Sequence, residues 1–226
     1  MRMRKKKNAD KRLAACESFI ADSVAEGEGE LWLEIGAGKG GFAIGMTKKN
    51  PTVRYYAMER VTDCVVLAAE KAKKELEETG SSANLKFIID TADNLEKLFA
   101  HETVDRIFLN FSDPWSKKGY AKRRLTHRRY LDVYMKLLRT GGKLRFKTDN
   151  VGLFDFSLEE IAAVGLKTDI VTRDLHASEW QADNVVTEYE ANFSSQGIAI
   201  NMLEITKPEG FVMPEGVLDK KVREEV

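Results

Sequence analysis

Asn110-Phe111-Ser112-Asp113-Pro114-Trp115 sets a carboxylate beside an indole ring at the end of an apolar run. Lys117, Lys118, Lys122, Arg123, Arg124, Arg128 and Arg129 follow, with no acid among them. A carboxylate accepts hydrogen bonds from a base edge, and clustered cations bind phosphates. Upstream, Leu33-Glu34-Ile35-Gly36-Ala37-Gly38-Lys39-Gly40 is a glycine loop, and small residues let a backbone approach a nucleotide-like ligand closely. Together the two segments suggest an enzyme that acts on a base within a nucleic acid.

Gly36-x-Gly38-x-x-Gly41 fits the dinucleotide fingerprint, and Glu59 lies 23 residues after Gly36, near the position of a ribose-binding acid. Those traits serve NAD and S-adenosylmethionine alike. Glu34 tips the reading: a carboxylate beside the loop repels a pyrophosphate but suits a sulfonium or an ammonium. The loop is not a Walker A motif, so Lys39 reads as a surface residue. Asp90 could accept from an adenine exocyclic amine, with the backbone at Thr91 beside the ring. S-adenosylmethionine is therefore the expected cofactor, with NAD as the alternative.

On the acceptor side, Asp113 is expected to face the sulfonium. Guanine suits such a partner because N1 and N2 donate hydrogen bonds. Its N7 carries a free lone pair and no proton at neutral pH, so alkylation there needs orientation rather than a general base. The product ring is cationic, and Asp113, Asp149 and Glu190 could stabilise that charge. Trp115 stacks on a base or packs in the core. His101, His127 and His176 form no metal pattern with Cys or acids and read as structural or RNA-facing.

The elements that must position these groups alternate. Strands are expected over Leu31–Ile35, Val53–Met58, Leu85–Ile89, Val104–Asn110, Lys143–Lys147, Lys167–Thr172 and Ile198–Ile205. Helices are expected over Gly40–Lys49, Val61–Glu78 (closing at Gly80), Ala92–Ala100 and Thr126–Arg139, with a further one after Asn150 and a short one from Thr187. Such alternation predicts an α/β fold, a mostly parallel sheet with helices on both faces. Ligands of such sheets sit beyond the C-terminal strand ends, where Glu34, Glu59, Asp90, Asp113 and Asp149 fall.

At 226 residues and 43% hydrophobic the chain can bury one sizeable core, so a single domain over 1–226 is expected. Its parts are a flexible basic arm at 1–12, a catalytic core at 28–207 and a loosely held tail at 208–226. Net charge is zero, yet 14 of the 36 Lys/Arg fall in 1–12 and 117–129, a local footprint of the kind phosphates bind. Cys16 and Cys64 show no zinc or disulfide spacing. The N-terminus lacks an apolar stretch for a secretory signal, and no run is long enough to span a bilayer. A cytoplasmic protein is expected, with no membrane partner and no metal, as a monomer or homodimer.

These residues resemble the bacterial tRNA (guanine-N7)-methyltransferases. The matching blocks are Glu34-Ile35-Gly36-x-Gly38-Lys39-Gly40, Leu109 to Trp115, Lys117-Lys118, Lys122-Arg123-Arg124-Leu125-Thr126, Phe146-Lys147-Thr148-Asp149-Asn150, Asp174-Leu175-His176 and Thr187-Glu188-Tyr189-Glu190. The resemblance covers roughly residues 1–207. The resemblance implies the class I methyltransferase (Rossmann-like) fold of seven strands, the last antiparallel. It also implies methylation of N7 of the tRNA variable-loop guanine, with S-adenosylmethionine as donor.

By the same resemblance Glu34, Gly36, Gly38, Glu59, Asp90, Thr91 and Asp113 contact the cofactor, and Asp113 is the catalytic residue. Lys117, Asp149, Thr187, Glu188, Tyr189 and Glu190 bind substrate. Lys118, Lys122, Arg123, Arg124 and Arg128 are the expected RNA phosphate contacts. Ser116, Gly119 and Tyr120 depart from the family's usual Pro, Arg and His, which predicts a more flexible loop.

Overall fold

The computed structural model describes residues 7–76 and 84–219. The start of the basic arm at 1–6, the expected end of the second helix at Glu78-Gly80 and the last seven residues lie outside them. Seven strands run in the order β3-β2-β1-β4-β5-β7-β6, and the chain divides into two compact units.

The first unit holds residues up to Phe99 together with 185–188. Strands β1 (Leu31–Ile35), β2 (Arg54–Met58) and β3 (Leu85–Ile88) pair in parallel, Ile35 opposite Met58 and Met58 opposite Ile88. All five side chains of β1 are buried, as a strand covered on both faces requires. Helix α1 (Ala9–Ala14) packs on α3 (Thr62–Leu76), and α2 (Gly41–Lys49) follows the glycine loop. Residues 9–12 of the expected arm are thus helical, and Arg12 grips Glu70 through two hydrogen bonds of 2.6 and 2.7 Å. The expected helix at 92–100 is a short 3-10 turn followed by α4 (Leu95–Leu98).

The second unit carries β4 (Val104–Asn110), β5 (Leu138–Thr148), β6 (Thr168–Thr172) and β7 (Asn201–Thr206). β4 and β5 are parallel, while β7 lies antiparallel between β5 and β6. β5 starts five residues earlier than the sequence predicts. Gly141-Gly142, expected to close the helix over Thr126–Arg139, lies inside β5 instead, between Leu138 and Lys143, where the register with β4 shifts. A Cβ at Gly142 would lie 2.9 Å from the Arg139 carbonyl oxygen and 3.1 Å from that of Val104, so only glycine fits.

Helices α5 (Arg128–Leu137), α6 (Val151–Ala163) and α7 (Glu188–Ser194) complete the chain. α5 and α6 are pinned together by Arg128, whose guanidinium and backbone N–H donate to the Glu160 carboxylate. Both side chains are nearly inaccessible, and Arg128 also donates to the Val217 carbonyl. The tail is therefore anchored as far as Val217, which is buried. Removing one partner of a buried pair strands the other charge and costs about 3–5 kcal/mol. Glu160→Ala should lower the stability measured by urea unfolding by roughly that amount; a loss below about 1 kcal/mol would show the pair to be dispensable.

Candidate active site

The glycine loop is built by Gly36, Gly38 and Gly40, all at positive φ (83°, 56° and 74°), which glycine adopts without strain. They serve different ends. A Cβ at Gly40 would meet Ala68 and Phe87 at 2.9 and 3.0 Å, so Gly40 permits close helix–strand contact. Nothing lies within 4 Å of a Cβ at Gly36 or Gly38, so the loop opens onto free space there.

Glu59, after β2, ties the loop down. Its Oε2 accepts from the Gly38 N–H at 3.0 Å and its Oε1 from the Val61 N–H at 2.8 Å. A carboxylate has about four acceptor positions, so capacity for hydroxyl donors remains. Glu34 is buried at the end of β1, with the Tyr55 hydroxyl 3.5 Å from its Oε2. Burial, and then the Glu34 charge, hold the Tyr55 phenol well above its usual range. Asp90 follows β3. Hydrogen bonds from the Asn94 amide and then the Thr91 N–H, both 2.7 Å, hold its carboxyl below the usual range. Thr91 is exposed beside it. An open glycine cradle with acids at the ends of three successive strands fits a ligand bearing a cation and a ribose, S-adenosylmethionine included.

In the second unit, the loop after β4 is held in a costly shape. Phe111 and Trp115 have φ of 52° and 43°, a left-handed conformation that costs a side-chain-bearing residue roughly 1–2 kcal/mol. Arg124 sustains it, its Nε donating to the Pro114 carbonyl at 2.9 Å and its Nη2 to that of Trp115 at 3.3 Å. Its guanidinium stacks 4.3 Å from the Phe156 ring centre. Asp113, between the two strained aromatics, is exposed. Tyr120 meets Trp115 edge-on at 5.8 Å, and Arg123 lies over both rings. Tyr120, one of the three residues departing from the family pattern, therefore packs against this loop.

Beneath the loop lies a knot of buried charge. The Lys147 ammonium, in β5, donates to Glu190 Oε2 at 2.7 Å and to Asn184 Oδ1 at 2.8 Å. Glu190 Oε1 pairs with His176 Nε2 at 2.8 Å and accepts from the Asn184 amide at 2.6 Å. Lys147 and Glu190 are 1% and 0% exposed. Burial pushes the Glu190 carboxyl up, but the Lys147 charge and these hydrogen bonds outweigh it and hold it below the usual range. The knot fixes the start of α7 and so presents Tyr189, half exposed and tilted against Phe111 (5.1 Å) and Phe193 (4.5 Å). Burial, and then the nearby charges of Asp149 and Asp113, raise the Tyr189 phenol. Asp149 is half-buried in the Thr148-Asp149-Asn150 turn, where Thr148 Oγ1 accepts from the Asn150 N–H and Asn150 caps α6.

Not every expected contact has a free side chain. Arg128 is a correction: its guanidinium is consumed by Glu160 inside the protein and cannot reach phosphate. Arg124 is half-buried and donates to the Pro114 and Trp115 carbonyls, and Glu190 is enclosed with Lys147, Asn184 and His176. Glu188 pairs with Lys71 at 2.7 Å and Thr187 is half-buried beside it. Lys117, Lys122 and Arg123 remain exposed, and the Lys118 side chain lies outside the described residues. Among the described residues no group of three or more His, Cys, Asp or Glu side chains gathers as a metal site would need, and no helix is long and apolar enough to cross a membrane.

A family model described as "Putative methyltransferase" matches residues 28–203. A tRNA (guanine-N(7)-)-methyltransferase from Limosilactobacillus reuteri (strain DSM 20016) is 38% identical over 213 residues, covering 90% of this chain and 98% of that one. The chain belongs to the tRNA (guanine-N7)-methyltransferase family. A solved antibiotic-related methyltransferase (TM-score 0.57, 14% identity, 93% of this chain and 97% of that one) shares the fold, as does the 16S rRNA methyltransferase KamB (0.59, 13%, 94% and 97%). Within this family member, Lys147, Asn184 and His176 are the supporting residues that motif spacing did not assign. A lysine between Phe146 and Thr148 in an apolar strand was the available signal, since a buried cation demands a partner.

Glu190 has its carboxyl depressed in the folded state, so its stabilising contribution is present above the unfolded carboxyl range, near 4.5, and is lost as pH falls through the lower folded value. Glu190→Gln should lose about 3 kcal/mol at pH 7 by stranding Lys147. Urea unfolding of wild type and variant between pH 7 and 3 should show the gap narrowing in acid; a gap that widens there would contradict the pairing.

Proposed function

We propose that this protein transfers a methyl group from S-adenosylmethionine to N7 of a guanine in tRNA, the variable-loop guanine, giving 7-methylguanine. Family membership supplies the reaction class. The observation that carries the residue-level reading is the convergence on Tyr189: a half-exposed ring braced by Phe111, with Asp113 and Asp149 near enough to disfavour its ionisation.

Glu34, Gly36, Gly38, Glu59, Asp90 and Thr91 hold the cofactor. When bound, S-adenosylmethionine supplies a methyl group on a sulfonium, whose C–S bond breaks as the guanine N7 lone pair takes the methyl. Asp113 is the catalytic residue in this reading. It accepts hydrogen bonds from the N1–H and N2–H edge of guanine and fixes the ring's orientation, the main requirement of a step that removes no proton. Asp149 adds negative charge where the ring becomes cationic. Tyr189 contributes an aromatic face, and Thr187 and Glu188 lead into it. Glu190 acts through Lys147 and His176 as a positioning residue.

Lys117, Lys122 and Arg123 bind phosphates flanking the guanine, giving salt-dependent and sequence-independent affinity. Arg123 can do so while stacked, because a guanidinium keeps its N–H edges free when its face is covered. A tRNA substrate implies a cytoplasmic enzyme.

Incubation with unmodified tRNA and S-adenosylmethionine, followed by nucleoside mass spectrometry, should yield 7-methylguanosine. Asp113→Ala should lower kcat/KM by about 10²-fold or more. Methyl at another ring position, or none in tRNA, would refute the assignment.

A further inference from the structure

Within the first unit, α1 and the C-terminal half of α3 enclose a groove of about 580 Å³ lined by Asn8, Lys11, Arg12, Ala15, Cys16, Glu70, Lys73 and Lys74. Four of these side chains are basic and one is acidic. The acid is already neutralised, since Arg12 holds both oxygens of Glu70. Lys73 is fixed on the Ala15 carbonyl at 2.7 Å and keeps its charge. Lys11 and Lys74 are exposed, and among the described residues neither ammonium makes an ion pair or hydrogen bond.

Gathering like charges this way raises the local positive potential and favours an anionic partner. No aromatic ring lines the groove, so it has no platform on which a base could stack. A basic rim over the small residues Ala15 and Cys16 suits a phosphate backbone, read without regard to sequence. The groove also connects to the substrate segment through one helix. Lys71, the residue after Glu70 on α3, pairs with Glu188 at 2.7 Å, beside Thr187 and Tyr189.

We infer that the α1–α3 groove is a second phosphate-binding surface, gripping the backbone of the tRNA. Lys11 and Lys74 are its free cations. The inference rests on the reading of tRNA as substrate. It adds a contact that positions the polynucleotide without selecting the base.

The test uses the full-length protein with Lys11→Glu and Lys74→Glu combined, against Lys167→Glu as an exposed control in the second unit. Each neutralised phosphate contributes roughly 0.7–0.9 to the slope of log affinity against log salt. The double variant should bind unmodified tRNA about 10-fold or more weakly at physiological salt, with a slope shallower by roughly 1.5. Its S-adenosylmethionine binding by calorimetry, its kcat at saturating tRNA and the N7 position of the product should match wild type. In parallel, tRNA should shield Lys11 and Lys74, but not Lys167, from acetylation read by mass spectrometry. Unchanged affinity and slope, or equal acetylation with and without tRNA, would overturn the groove while leaving the methyltransferase reading intact. Failure of wild type to bind or methylate tRNA would overturn that reading, and the groove with it.

Discussion

The pair between Lys147 and Glu190 is the constraint on which the acceptor side depends. Neither charge is accessible to water, and desolvating two ions costs several kcal/mol each. The cost is offset by the hydrogen bonds around the pair: Asn184 bridges both partners, and His176 meets the second Glu190 oxygen. Such a knot has few alternative arrangements. It fixes where β5 ends, where α7 begins and hence where Asp149 and Tyr189 stand, and the Lys147 carbonyl also accepts from the Phe111 N–H at 2.9 Å. The strained turn that carries Asp113 is thereby tied to the same residue.

Positive charge in this protein divides by depth. Arg128 and Lys147 are interior struts, each matched to a buried carboxylate. Arg124 is intermediate, spending its fork on two backbone carbonyls and its face on Phe156. Lys117, Lys122 and Arg123 stay at the surface. A run of basic residues thus builds the loop with some of its members and offers phosphates the others. An arginine is well suited to the first task because its planar fork meets two acceptors at once.

Part of the strand pattern was legible in the residues because the inner strands are largely apolar; β1 and β4 keep the boundaries their hydropathy predicts. The acids at strand ends were legible for the same reason. Gly141-Gly142 misled, since paired glycines signal a helix stop as readily as a strand irregularity. The fates of Arg128 and Glu190 were not legible, because their partners are Glu160, 32 residues away, and Lys147, 43 residues away. Local sequence displays a charge but not its burial. The glycine loop was read with Gly41 as its third member, whereas Gly40 makes the close contact with Ala68 and Phe87.

If the buried pair positions the acceptor residues and takes no part in the chemistry, its two members must act as one unit. A double-mutant cycle on single-turnover methyl transfer to tRNA, using Lys147→Met, Glu190→Leu and both together, measures that directly. The account predicts strong coupling: each single variant strands a buried charge and loses activity, while the double variant removes both charges and recovers much of the loss. Losses that simply add would contradict it, because Lys147 and Glu190 would then be acting independently of each other.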